Sequence, residues 1–134
     1  MTFLLDTDVC VDLIRLRTPQ LLAQVQDQAV GEIGISSITM AELAFGAAKS
    51  REPEQNRAAL QEFVAALGIA PFDQAAANSY GGLRAALERQ GAPIGPFDAL
   101  IAAHAISIGA TVVTFNTREF SRVAGLRVAD WTRA

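Results

Sequence analysis

Short apolar runs at residues 2–6, 32–36, 69–72, 111–115 and 127–129 are each separated from the next by a stretch with helical periodicity. Consecutive strands spaced this widely are joined by crossovers and not by tight hairpin turns, so they pair in parallel. A parallel sheet has to be covered on both faces. The expected fold is therefore α/β, a central parallel sheet inside three α/β/α layers.

The punctuation between the runs supports this order. Asp8 is placed to cap a helix reaching about Leu16, and Thr18-Pro19 breaks it. Pro19 suits the first turn of a second helix through about Gln28. A third helix is expected from Thr39 to about Ser50, with Leu43 and Ala47 at helical spacing. After the polar hinge Arg51-Glu52-Pro53-Glu54, a fourth from Pro53 to Leu67 completes an antiparallel hairpin. Asp73 caps a helix to about Gln90 that Gly91 ends, and Pro93, Gly95 and Pro96 stiffen the loop that follows. An apolar helix over 97–108 stops at Gly109. No repeat, low-complexity tract or linker intervenes, and 134 residues suit one domain spanning 1–134.

Composition narrows the function. A net charge of −3 argues against gripping nucleic acid by bulk electrostatics, although ten of the eleven basic residues are arginines, whose planar forks suit phosphate. The 51% apolar content leaves a surplus for an oligomer or partner surface. No run approaches the ~20 apolar residues of a membrane span, and the N-terminus lacks signal-peptide features. The single cysteine, Cys10, lies in an apolar stretch and has no internal partner, which fits a buried small side chain in a reducing, cytoplasmic setting.

The chemistry lies in acids that follow or abut the apolar runs. Asp6 directly follows Phe3-Leu4-Leu5, at the carboxyl end of a strand, where open α/β sheets bind ligands. A carboxylate partly removed from water there costs free energy unless something positive pairs with it. Glu42 opens the helix after the second strand; Thr39-Met40-Ala41-Glu42 is also a capping box, which would turn Glu42 back onto its own helix. Asp98 stands in the first turn after Gly95-Pro96, where a carboxylate also favours the helix dipole. Glu119 and Asn116 follow the strand at 111–115, Asn116 as an oxygen donor through a bound water. The only histidine, His104, is rotated about 120° from Asp98 on an ideal helix, and we place it in the core. A metal-free ribonuclease built on paired histidines is thereby excluded, and so is a histidine–cysteine zinc site. An all-oxygen set of donors favours Mg²⁺ or Mn²⁺, ions whose chemistry is chiefly that of phosphate esters.

At these residues the chain resembles the PIN-domain ribonucleases, in particular the VapC-type toxins of type II toxin–antitoxin pairs. The resemblance rests on Leu4-Leu5-Asp6-Thr7-Asp8, on the stretch from Ile35 to Leu43, on Ile94-Gly95-Pro96-Phe97-Asp98-Ala99-Leu100-Ile101-Ala102-Ala103, and on Thr114-Phe115-Asn116-Thr117-Arg118-Glu119-Phe120. It covers nearly the whole length, down to a final strand near Arg127-Val128-Ala129. It implies a PIN-like fold in which Asp6, Glu42 and Asp98 hold Mg²⁺ or Mn²⁺ with a fourth acid nearby. Many PIN domains carry aspartate at the position of Asn116, so its absence moves the fourth-acid role towards Glu119. The resemblance further implies an endoribonuclease acting on a structured RNA such as a tRNA, a homodimer, and a cognate antitoxin. That antitoxin would insert a peptide into an apolar groove formed by residues 8–17 and 39–67. Two alternatives have sequence features of their own. Asp6-Thr7-Asp8 matches the Asp-x-Asp of haloacid-dehalogenase-like phosphatases, although Lys49, the only lysine, lies in the helical hairpin. A non-catalytic PIN-like binding module would have no need of the acids.

Overall fold

The strands are shorter than the apolar runs that announce them. In the computed structural model, which describes residues 1–132, they are β1 (Phe3–Leu5), β2 (Ile33–Ser36), β3 (Ile69–Ala70), β4 (Thr111–Val113) and β5 (Val128–Ala129). The expected domain's residues 133 and 134 lie outside the described residues. Between the strands run α1 (Thr7–Ile14), α2 (Pro19–Gln26), α3 (Ser37–Ala48), α4 (Pro53–Ala66), α5 (Gln74–Arg89), α6 (Pro96–Ile108) and α7 (Thr117–Phe120).

All strand pairs are parallel, in the order β3-β2-β1-β4-β5. The chain winds outward from β1 through β2 to β3, then returns to place β4 on the other side of β1. The winding direction thus reverses between β1 and β4, and in a parallel sheet the crevice at such a switch point is the place for a ligand. Register across this pair is Leu4↔Val112 and Leu5↔Val113.

The strand period of two sorts these side chains into layers. Leu5 and Val113 join Ile33 and Ile35 in a core with α1, α2, α3 and α4 through Val9, Leu21, Leu43 and Leu60. Leu4 and Val112 face the other way, against Leu87 of α5, Ile101 of α6 and Phe120 of α7. Three layers result, as the alternation of strands and helices predicts. Each fully buried side chain of this kind stabilises the fold by roughly 1.5–3 kcal/mol relative to exposure.

Two helix starts differ from expectation, for one reason: β1 and β2 run into their helices with no loop between. Asp6, not Asp8, is the N-cap of α1, accepting from the Thr7 N–H at 2.7 Å, and Asp8 is an exposed residue of the first turn. Ser36, not Thr39, is the N-cap of α3, accepting from the Ile38 N–H at 3.1 Å. The capping box therefore does not form. Thr39 is buried in the first turn with its hydroxyl unpartnered, which leaves Glu42 free to face another element. Asp73 caps α5 as expected, and Gly109 ends α6 at φ 69°, a left-handed geometry suited to glycine.

Candidate active site

Asp6 leaves β1 at the switch point with its side chain 5% exposed. Its own N–H donates to the Val113 carbonyl at 2.9 Å, continuing the ladder one step past the strand. One carboxylate oxygen takes the Thr7 N–H, and the other accepts from the Thr114 hydroxyl at 2.8 Å. Burial raises its pKa; the Thr114 and Thr7 hydrogen bonds oppose the rise, and the charges of Asp8 and Glu42 add to it.

Glu42 is half-buried on α3 and accepts from the Thr7 hydroxyl at 2.6 Å, so Thr7 touches two acids, one with its backbone and one with its side chain. Asp98, half-buried in the first turn of α6, is pushed up to about 7 by burial first, then by the charges of Asp6, Glu119 and Glu42. Glu119 accepts from the Gly95 N–H at 2.6 Å, one residue before α6 begins, and its other oxygen accepts from the Asn116 side-chain amide. Asn116 occupies the N-cap position of α7 without a side-chain cap bond there. All four predicted acids therefore converge on the carboxyl end of the sheet, near enough to raise the pKa of Asp98.

Among the described residues, no arginine or lysine forms an ion pair with any of these acids. Nor are three acid, histidine or cysteine side chains grouped closely enough to ligate one ion as they stand. Hydrogen bonds to Thr7, Thr114, Asn116 and Gly95 occupy the carboxylates of Asp6, Glu42 and Glu119 instead. The donor set still fits a hard divalent cation. It is all oxygen, it carries excess negative charge with no basic partner, and burial together with the neighbouring acids raises the Asp98 pKa to about 7, a rise that a bound cation would oppose.

His104 is buried, as expected of a core residue, with its Nδ1 2.7 Å from the Ser36 hydroxyl and its ring edge-on to Phe72. Ser36 caps α3 and His104 belongs to α6, so this contact ties together the helices that carry Glu42 and Asp98. Cys10 is fully buried, and burial together with the Asp6 charge pushes its thiol pKa up. Lys49 stacks over Phe45 at 5.0 Å, at the far end of α3 from the acids, so it does not supply the phosphate-steadying lysine of the phosphatase alternative.

Sequence reasoning missed Thr7 and Thr114 as parts of the site. A signal for Thr114 existed in the register of β1 and β4: with Leu5 opposite Val113, Thr114 falls opposite Asp6. Beside the acids, α1, α3 and α4 enclose a groove of about 420 Å³ walled by Val11, Ile14, Leu43 and Leu60. Thr7 and Glu42 also line it, so the groove is continuous with the acid cluster. Cavities of about 230 and 160 Å³ against α5 and α6 touch none of the acids.

A family model described as "PIN domain" matches residues 3–126. The tRNA(fMet)-specific endonuclease VapC of Shigella flexneri is 46% identical over 98% of this chain and 99% of its own length. The crystal structure of DNA-bound VapBC from Salmonella typhimurium superposes with a TM-score of 0.93 at 41% identity, covering 98% of each chain. VapBC2 from Rickettsia felis, bound to a DNA fragment from its promoter, does so with a TM-score of 0.90 at 38% identity, covering 98% of this chain and 99% of that one.

Proposed function

The chain belongs to the PIN-domain family and is a VapC-type ribonuclease, and from that premise we propose that it uses Mg²⁺ or Mn²⁺ to hydrolyse a structured RNA of the tRNA class. In this reading it is the toxin of a type II toxin–antitoxin pair, a single domain over 1–134 that works as a cytoplasmic homodimer. The observation that carries the reading is the convergence of Asp6, Glu42, Asp98 and Glu119 at the switch point of a parallel sheet with no basic partner.

Asp6, Glu42 and Asp98 would hold the metal, with Glu119 as the fourth acid and Asn116 as an oxygen donor through water. When bound, the ion lowers the pKa of a water for attack and neutralises charge on the phosphoryl oxygens. The protein's share is placement. β1 and the N-terminus of α1 fix Asp6, the Thr7 hydroxyl turns Glu42 inward, and Gly95 anchors Glu119 beside the helix that carries Asp98. The net charge of −3 gives little bulk attraction for a polyanion, so discrimination among RNAs rests on shape.

The groove between α1, α3 and α4 is the seat we assign to the antitoxin. Its walls are apolar, Arg15 and Lys49 line it, and Thr7 and Glu42 connect it to the acids, so a bound segment can obstruct the site it leads to. The Salmonella and Rickettsia structures with which the chain superposes are VapBC complexes, which supports a partner of this kind.

Cleavage of total bacterial RNA by the purified, partner-free chain tests the function. Discrete fragments that require Mg²⁺ or Mn²⁺, vanish with EDTA and vanish with Asp6→Ala are expected. Cleavage that persists in EDTA, or in a folded Asp6→Ala variant, would remove the metal-and-acid mechanism.

A further inference from the structure

One hydrogen-bonded chain joins Glu42 and Asp6 to Glu119 and to the residue preceding the helix of Asp98. From Glu42 it passes through Thr7 to Asp6, then through the Thr114 hydroxyl at 2.8 Å. The same hydroxyl accepts from the Asn116 N–H at 2.9 Å. The Asn116 amide then donates to Glu119, which accepts from the Gly95 N–H at 2.6 Å. Thr114 is the link between the halves. Backbone pairing of β1 with β4 and the Ser36–His104 contact also tie the two sides together, but among the described side-chain hydrogen bonds Thr114 is the one that touches Asp6 and the Asn116 turn at once.

The chemistry of the hydroxyl fixes its direction. A threonine has one proton to donate, and here the Asn116 N–H occupies an acceptor position, so the proton goes to Asp6. The side chain is 1% exposed, which leaves little room for another rotamer. It also stands at the switch point itself, where the ends of β1 and β4 meet.

We propose that Thr114 is a positioning residue of the reaction, setting the carboxylate of Asp6 and the turn that presents Asn116 and Glu119. This rests on the metal-dependent reading above. Groups that orient a metal-binding carboxylate typically cost 10–100-fold in affinity or activity when removed. Thr114 touches Asp6 and need not touch RNA, so its loss lowers turnover and leaves RNA binding alone.

The test compares Thr114→Ser, Thr114→Ala and Thr114→Val in the full chain. Mn²⁺ affinity is measured by calorimetry on metal-free protein, kcat and KM on RNA, and folding by circular dichroism. Serine is expected to stay within about 2-fold of the parent, whereas alanine and valine weaken Mn²⁺ binding about 10–100-fold and lower kcat at unchanged KM. If valine prevents folding, serine against alanine still isolates the hydroxyl, because both lack the methyl group. Equal Mn²⁺ affinity and equal kcat for serine and alanine would overturn the proposal, as would an effect confined to KM. A parent chain that cleaves RNA without binding Mn²⁺ would overturn the metal reading along with it, a result distinct from a parent that binds the ion and variants that match it.

Discussion

Replacing Asp98 by asparagine is expected to stabilise the metal-free protein while abolishing its activity. Burial and the charges of Asp6, Glu119 and Glu42 raise the Asp98 carboxyl from 3.8 to about 7. A folded-state pKa above the unfolded value contributes stability at low pH that is lost as pH rises through the folded value. For Asp98 the loss accumulates between about pH 4 and pH 7 and is complete at pH 8. Three units would correspond to about 4 kcal/mol at roughly 1.36 kcal/mol per unit, but Asp98 is only half-buried and solvent screening reduces this to about 1–2 kcal/mol. The amide is isosteric and never charges, so Asp98→Asn recovers that amount, roughly 5 °C in Tm for a chain of this size. Thermal unfolding in EDTA at pH 4 and pH 8 reads the effect: no difference at the lower pH, a more stable variant at the higher. Saturating Mn²⁺ reverses the order, since binding at 100 times Kd stabilises the parent by about 2.7 kcal/mol. A variant no more stable than the parent at pH 8, or one whose advantage is independent of pH, would refute the raised Asp98 pKa that burial and the neighbouring acids produce.

Three further expectations concern the scaffold. A Cβ at Gly34 would lie 2.8 Å from the Gly68 carbonyl and against the Met1 side chain, so Gly34→Ala should cost about 1–3 kcal/mol in urea unfolding; unchanged stability would show that β2 and β3 have slack there. Burial lowers the pKa of His104 from 6.5, with the Asp73 charge opposing. Its contribution to stability is thus present above about pH 6.5 and lost as pH falls through the folded value, and an NMR titration of this sole histidine should give a midpoint below 6.5. The buried Thr39 hydroxyl has no partner, so Thr39→Val should gain about 1 kcal/mol at an unchanged denaturant m-value; a loss would mean that the hydroxyl is satisfied by an ordered water.

Much of this site was legible because acids next to apolar runs are easy to see in one dimension. Asp6 and Asp98 follow from strand ends and helix starts alone, and the alternation of strands and helices brings them to one edge. Thr7 and Thr114 were not legible, because their importance depends on what stands across the sheet, which register decides and composition does not. The helix start expected at Thr39 differs for a similar reason, while the capping box that competed for Glu42 does not form. Its pattern is local, but β2 continues straight into α3 and hands the cap to Ser36, three residues earlier. Freed from that role, Glu42 reaches Thr7, a residue 35 positions away in the chain.

Anomalous scattering from crystals of the chain grown with Mn²⁺ tests the central claim most directly. The account predicts an ordered ion bounded by Asp6, Glu42 and Asp98, with Thr114 still donating to Asp6, and no such ion in Asp6→Ala crystals. An ion ordered elsewhere, or bound unchanged without Asp6, would contradict it.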